Sequence, residues 1–363
     1  MDTYFINKKE WNKYIGEKSA EIKTYAPYES TEPLLSNGTQ FVKTDNNQSS
    51  SLFWKTVNPE NVDNVVYDRM HPVAPLKIFF FPFKERILPA IGNVEPFIII
   101  GATNCDLLAL DTTDKVFINN DYKDPTYGLR REQATIISID CQKPDEYCFC
   151  ELWGNRTYPE KNFDLNLTYM EDGFIVEIGS EKGEKIIRGI AKKEKTAENS
   201  MKIRESIRKQ TKNIVQANNS KYKLCEMGHI RNDIPACMEN KIESPGWKSG
   251  AFDCVQCGAC NASCPTCVCF LLEDFSSRVS FSKTKIWDYC LYQSYAKMAS
   301  GVSPRSLLWE RYANRLLCKY RYMVKNLGIV GCTGCGRCIS GCPGKIDKRK
   351  ILEEVFKENG EYI

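Results

Sequence analysis

The sequence predicts an α/β or α+β N-terminal domain with a central sheet, followed by a mainly α-helical ferredoxin-type domain. Three observations carry this. Between residues 76 and 187, short runs rich in Ile, Val and Phe alternate with helical patterns. A four-cysteine motif occurs twice in the last third of the chain, starting at Cys254 and at Cys332. The residues between the two copies read as helices rather than as the short hairpins of a small ferredoxin. The expected organisation is an α/β domain over 1–187, a helical connector over 188–229 and the cysteine-rich helical domain over 230–363.

Taken in order, residues 1–75 are polar, and Asn46–Ser51 reads as a loop. Lys77–Pro82 (KIFFFP), Pro96–Gly101 (PFIIIG), Thr135–Asp140 (TIISID) and Phe174–Gly179 (FIVEIG) read as strands. Gly101–Asp106 followed by Leu107–Leu110 reads as strand, turn and helix, with Cys105 or a neighbour opening the helix. There a thiolate is favoured. Residues 188–224 are charged and helical in pattern, with Ile203, Ile207 and Ile214 on one face as in an amphipathic connector. Phe270–Phe275, Ile286–Ser300 and Ser306–Leu327 read as helices.

Composition narrows the function. The chain has 363 residues, 42% hydrophobic and 26% charged, with a formal net charge of +4. It can build a core, and it lacks the charge signature of nucleic-acid binding. The basic segment 270–331 likewise has no nucleic-acid motif beside it. Two histidines leave little room for multi-histidine metal chemistry. The start lacks a basic region followed by an apolar one, and Ile78–Pro82 and Phe97–Ile100 fall far short of the ~18 apolar residues of a spanning helix. A cytoplasmic location is expected. The outlier is cysteine, with 18 residues. That is too few for a disulfide scaffold, and in an intracellular chain it points to metal-binding thiolates.

The repeated motif is specific. Cys254, Cys257, Cys260 and Cys264-Pro265 repeat the spacing of Cys332, Cys335, Cys338 and Cys342-Pro343. Both are C-x2-C-x2-C-x3-C-P, in which three cysteines hold one cubane and the fourth holds the other. Three thiolates on a tight loop wrap three corners of a cube, and the fourth sits on the next turn facing away. Cys254, Cys257, Cys260 and Cys342 are therefore assigned to one [4Fe–4S] cluster. Cys332, Cys335, Cys338 and Cys264 are assigned to the second. Zinc ribbons use two cysteine pairs rather than runs of four. A disulfide knot would not repeat this spacing with proline after each run. Gly258 and Gly336 let the backbone approach the clusters. Segment 270–331 carries Arg278, Lys283, Lys285, Lys297, Arg305, Arg311, Arg315, Lys319, Arg321 and Lys325 against Glu273, Asp274, Asp288 and Glu310. Such cations either ease burial of a negatively charged cluster or form a solvated face.

Ten cysteines remain. Cys267 and Cys269 read as packing around the first motif. Cys225, Cys237, Cys290 and Cys318 read as isolated buried thiols. Cys105, Cys141, Cys148 and Cys150 all lie in the N-terminal domain, and three readings stand for them: a third [4Fe–4S] cluster, four buried thiols, or a redox pair.

These residues resemble the iron–sulfur subunit that soluble sulfhydrogenases, as their beta chain, share with anaerobic sulfite reductases. The resemblance rests on Cys254–Phe270, Trp287–Cys290, Ser303–Arg305 and Gly331–Pro343. In the N-terminal domain it rests on Gly101–Asp106, Tyr127–Glu132 (YGLRRE), Cys141–Cys150 and Phe163–Thr168 (FDLNLT). It implies an electron-transfer component without a catalytic centre of its own. Its expected partners are a flavin-containing diaphorase-type subunit together with a catalytic subunit holding nickel–iron or sirohaem. The chain itself shows no G-x-G-x-x-G after a strand and no Walker loop. Two other readings stand beside the relay: a stand-alone reductase binding flavin or substrate, and a redox-sensing or scaffold protein with structural clusters.

Overall fold

The computed structural model describes residues 2–30, 51–89, 92–225, 230–239, 241–358 and 361–362. The expected loop over Asn46–Ser51 lies outside them except for Ser51, which opens a strand. The N-terminal elements are β1 (Thr3–Asn7), α1 (Lys8–Glu21), β2 (Lys23–Ser30), β3 (Ser51–Thr56), β4 (Lys84–Leu88), β5 (Phe97–Ala102), α2 (Asn104–Phe117), α3 (Pro125–Gln133), β6 (Ala134–Ile139), β7 (Leu165–Met170), β8 (Gly173–Ile178), α4 (Glu181–Gly189), β9 (Glu194–Lys195) and α5 (Glu198–Asn219).

Eight strands form one mixed sheet in the order β3-β2-β5-β6-β7-β8-β1-β9. β2, β5, β6 and β7 are parallel, and the flanking pairs are antiparallel. β5 is a continuous apolar run and β6 is mostly one, because helices cover both faces, and the buried Ser138 hydroxyl of β6 donates to Asn166 Oδ1 at 2.8 Å. Ile98, Ile100, Ile137 and Ile139 point to the face packed with Trp11, Ile15, Ile186 and Ile187. Phe97, Ile99, Ala134 and Ile136 point to the face packed with Leu107, Leu110, Phe117 and Tyr127.

Three local expectations are corrected. Lys77–Pro82 is not a strand: Leu76–Phe79 form a 3-10 turn whose aromatic residues pack under the sheet. Its unbroken apolar run carries no period of two, and burial alone explains it. Of the three isoleucines of α5, Ile203 and Ile214 do not face the core and Ile207 is half-buried. Ile203 is 41% exposed and Ile214 37%, whereas Arg204, Arg208, Thr211, Val215 and Asn219 are buried. Asp140 and Glu177 select that polar face: Arg208 donates to Asp140 at 2.7 and 3.2 Å, and Arg204 to Glu177 at 3.2 Å.

The third correction lies in the C-terminal lobe. It contains α6 (Ile230–Glu239), α7 (Gly246–Ala251), α8 (Ala259–Ala262), β10 (Phe270–Ser276), β11 (Phe281–Trp287), α9 (Leu308–Leu317), a π-helical turn (Cys318–Tyr322), α10 (Met323–Leu327), α11 (Arg337–Ser340) and α12 (Lys348–Phe356). Ser306–Leu327 is helical as expected. Phe270–Phe275 is a strand, and Ile286–Ser300 is a strand end followed by turns. β10 and β11 form a hairpin that gains a third strand from β4, so the sheet joins the two lobes. Phe149 and Trp153, from the N-terminal half, are built into the C-terminal core beside Tyr320, Leu316 and Ile339.

Candidate iron–sulfur centres

The second cysteine run encloses a cavity. Cys332, Cys335 and Cys338 line it together with Cys264 of the first run, and Phe149, Arg315, Lys319, Tyr320 and Lys348 complete the wall. Cys264 faces the opposite run because Cys264-Pro265 follows the short helix α8, which turns the chain away from Cys254–Cys260. Cys254 in turn has Cys260 and Cys342 as charge neighbours. Cys257, the outermost of this set, is exposed. Among the described residues no three His, Cys, Asp or Glu side chains meet closely enough to share one ion. A cubane separates its ligands further than one ion does, since each thiolate binds a different iron.

Buried cations surround these sulfurs. Lys319 Nζ donates to Cys264 Sγ at 3.0 Å, Thr266 Oγ1 at 2.8 Å and the Gly331 carbonyl at 3.1 Å. Arg315 donates to the Cys260 carbonyl at 2.7 Å. Lys348 donates to the Ile346 carbonyl at 3.2 Å and reaches Cys342 Sγ at 4.0 Å. The Cys264 thiol is held well below its usual range, first by its hydrogen bond with Cys267 and then, against burial, by Lys319 and Arg315. Part of the basic segment thus turns inward to the sulfurs, as Arg315 and Lys319 do. Lys77 and His71 have no local signal in the sequence, since they meet the Cys267 and Cys335 carbonyls only through the tertiary fold.

The N-terminal cysteines converge. Cys105, Cys141, Cys148 and Cys150 are mutual charge neighbours. Burial pushes all four thiols up, Cys105 to about 11, and each also feels a neighbouring acid. The expectation that the helix start favours a Cys105 thiolate is therefore corrected: Cys105 does lie in the first turn of α2, but desolvation outweighs the helix end. A metal group bound here must displace protons. This set sits directly on the second run. Phe149 N–H donates to the Gly334 carbonyl at 2.8 Å, and Cys148 Sγ reaches the Cys335 carbonyl at 3.9 Å. Arg337, next to Cys338, makes a bidentate pair with Asp106, next to Cys105, at 2.9 and 2.7 Å. His71 Nε2 donates to the Cys335 carbonyl at 2.8 Å, its Nδ1 facing another carbonyl at 3.2 Å. Burial, with Arg337 second, pushes its pKa down to about 4, so the ring is neutral at pH 7.

Two glycines have a more specific role than cluster approach. Gly336 has φ +79°, and a Cβ there would lie 2.5 Å from the Tyr147 carbonyl oxygen. Gly258 has φ +74°, and its Cβ would meet the Tyr289 and Tyr292 side chains. Backbone cannot swing away, whereas side chains can. Gly336→Ala is expected to lose iron and to unfold at clearly lower denaturant than Gly258→Ala, which carries chiefly the ~1–2 kcal/mol left-handed backbone cost. Equal loss in the two variants would show that the Cys148 loop is not held by this contact.

Cys267, Cys269, Cys290 and Cys318 are not scattered. Asn261 Nδ2 donates to Cys290 Sγ at 3.4 Å and to Cys267 Sγ at 3.8 Å. Cys269 is hydrogen-bonded to both Cys290 and Tyr295. Cys318 has Cys269 and Cys264 as charge neighbours. Cys290 and Cys318 therefore depart from the expectation of isolated thiols. Cys237 packs against the lobe core.

Residues 253–346 match the family model described as a 4Fe-4S dicluster domain. The chain is also 28% identical over 315 residues to sulfhydrogenase 2 subunit beta of Pyrococcus furiosus, covering 85% of this chain and 90% of the relative. No helix among the described residues is long and apolar enough to cross a membrane. The chain carries a 4Fe-4S dicluster domain and, over 85% of its length, resembles the sulfhydrogenase beta subunit.

Proposed function

We propose that this chain is an electron-relay subunit of a cytoplasmic, anaerobic oxidoreductase complex, of hydrogenase rather than sulfite-reductase type. The observation that carries the relay is the seating of the Cys141–Cys150 loop on the Cys332–Cys342 run through the Phe149–Gly334 hydrogen bond. The name of the Pyrococcus relative favours the hydrogenase type. Cys254, Cys257, Cys260 and Cys342 hold one [4Fe–4S] group, Cys332, Cys335, Cys338 and Cys264 a second, and Cys105, Cys141, Cys148 and Cys150 a third. When bound, each group accepts and releases one electron at a time. Lys319, Arg315 and Lys348 offset the negative charge of the two ferredoxin-type sites, and Arg337 does so between the second and third. Cys257 is exposed, whereas the N-terminal cysteines contact the second run, so an electron can enter or leave at the Cys257 edge.

The test of the third site is iron and acid-labile sulfide in anaerobically purified Cys141→Ala and Cys148→Ala. Each is expected to lose about four irons, one cubane, with the spectroscopic signals of the other two retained. Unchanged iron in both variants would leave these residues as buried thiols.

The expected partners are a flavin-containing subunit plus a nickel–iron subunit. Docking through the basic segment would weaken with salt, but Lys285, Arg311, Arg315 and Lys319 are buried in the lobe. The same segment exposes Leu271, Leu272, Phe275 and Phe281 on the β10–β11 hairpin. A complex that survives high salt but loses this subunit in Leu271→Glu or Phe275→Glu is the expected outcome. Dissociation by salt alone, with both variants still bound, would return the interface to the basic residues.

A further inference from the structure

We propose that Cys267, Cys269, Cys290 and Cys318 bind an additional [4Fe–4S] cluster beside the second ferredoxin-type site. The inference goes beyond the three-site relay but rests on the iron–sulfur reading of the lobe.

Three features support it. The first is convergence from separate segments. Cys267 and Cys269 lie on the chain entering β10, Cys290 follows β11, and Cys318 opens the π-helical turn after α9. The hairpin brings the ends of β10 and β11 together, with Phe270 opposite Trp287. Asp288 N–H donates to the Cys269 carbonyl at 3.1 Å and extends that pairing to the cysteines. Two cysteines separated by one residue in extended chain stand roughly 6.6 Å apart on one face, which suits neighbouring corners of a cube.

The second feature is a polar frame aimed at the sulfurs. Asn261 is 1% exposed, and its amide nitrogen serves Cys267 and Cys290. Tyr295 is hydrogen-bonded to Cys269 and has Cys290 and Cys318 as further charge neighbours. The π-helical turn that carries Cys318 is a local distortion of the kind common at functional sites.

The third feature is charge. Lys77 is 3% exposed. Its Nζ donates to the Cys267 carbonyl at 2.7 Å and lies 4.1 Å from the centroid of the Trp287 ring. Among the described residues Lys77 is not paired with a carboxylate, and the sulfurs of Cys267, Cys264 and Cys269 are its charge neighbours. A buried ammonium without a counter-ion is strongly disfavoured, and thiolates held by a metal cluster supply that counter-charge. With this site, sixteen of the eighteen cysteines fall into four sets of four.

The experiment starts from Cys148→Ala, purified without oxygen and reconstituted with ferrous iron and sulfide. The N-terminal site is then out of the count. About twelve irons are expected, three cubanes, against about eight if only the two ferredoxin-type sites are filled. In the full chain, Cys269→Ser and Cys290→Ser should each lose about four irons, and Cys318→Ser should give the paramagnetic signature of a three-iron cluster in the oxidised protein. About eight irons in Cys148→Ala overturns the proposal, and so does zinc in place of the extra iron. The Cys148→Ala count holds even if Cys269→Ser or Cys290→Ser fails to fold. A chain without any iron would overturn the iron–sulfur reading itself. Unchanged iron in Cys269→Ser and Cys290→Ser, with loss in Cys335→Ser, would overturn this site alone.

Discussion

Cys335→Ser is expected to remove about four irons and to loosen the joint between the two lobes, the largest effect of any single cysteine change. Cys335 belongs to the run that lines the central cavity with Cys264. Serine keeps the Cys335 carbonyl, which accepts from buried His71 and lies within reach of the Cys148 thiol, but loss of the cluster frees the loop that holds this carbonyl in place. Cys257→Ser is the matched comparison, because Cys257 carries the same motif position but is exposed. Both variants should lose one cluster. Only Cys335→Ser should also disturb the signal assigned to the N-terminal set and lower the unfolding midpoint of the whole chain. Iron, labile sulfide and paramagnetic spectra separate these outcomes. Stoichiometric zinc without labile sulfide in the unmodified chain would end the cluster assignment.

The second large effect is expected from Arg337→Leu. The Arg337–Asp106 pair is bidentate, with both side chains almost fully buried, at 3% and 0% exposure. Arg337 Nε also donates to the Pro72 carbonyl at 2.9 Å. Removing one partner of such a pair leaves a buried charge uncompensated and costs about 3–5 kcal/mol. The expected result is a large fall in the denaturant midpoint with loss of iron from the N-terminal site. Arg337→Leu combined with Asp106→Leu should recover part of the stability, since two apolar groups leave no stranded carboxylate. A single variant as stable as the parent would show that the pair is accessible to water. Failure of the double variant to recover anything would show that the Pro72 hydrogen bond, not the ion pair, holds the joint.

The dicluster motif was readable because it is local: spacing over ten residues specifies which thiolates share a loop. The strands at Phe97–Ala102, Ala134–Ile139 and Gly173–Ile178 are readable for the same reason, since strands buried on both faces are rich in Ile, Val and Phe. KIFFFP met that criterion too and became a 3-10 turn, because composition cannot separate a buried strand from a buried turn. Phe270–Phe275 reads as helical on its own residues, and pairing with Phe281–Trp287 makes it a strand. Its hairpin is completed by β4, far away in sequence. On α5 the polar face turns inward because Asp140, just after β6, and Glu177, on β8, pair with Arg208 and Arg204. The pairing of the N-terminal cysteines with the second run, and of Cys269 with Cys290, belongs to the same class. Sequence alone determined the class of cofactor and the order of the lobes, because thiolate spacing and apolar runs are properties of neighbouring residues. Tertiary structure decided which distant cysteines meet and which cations are buried beside them, because long-range approach depends on how sheets and helices stack, and no local pattern encodes that.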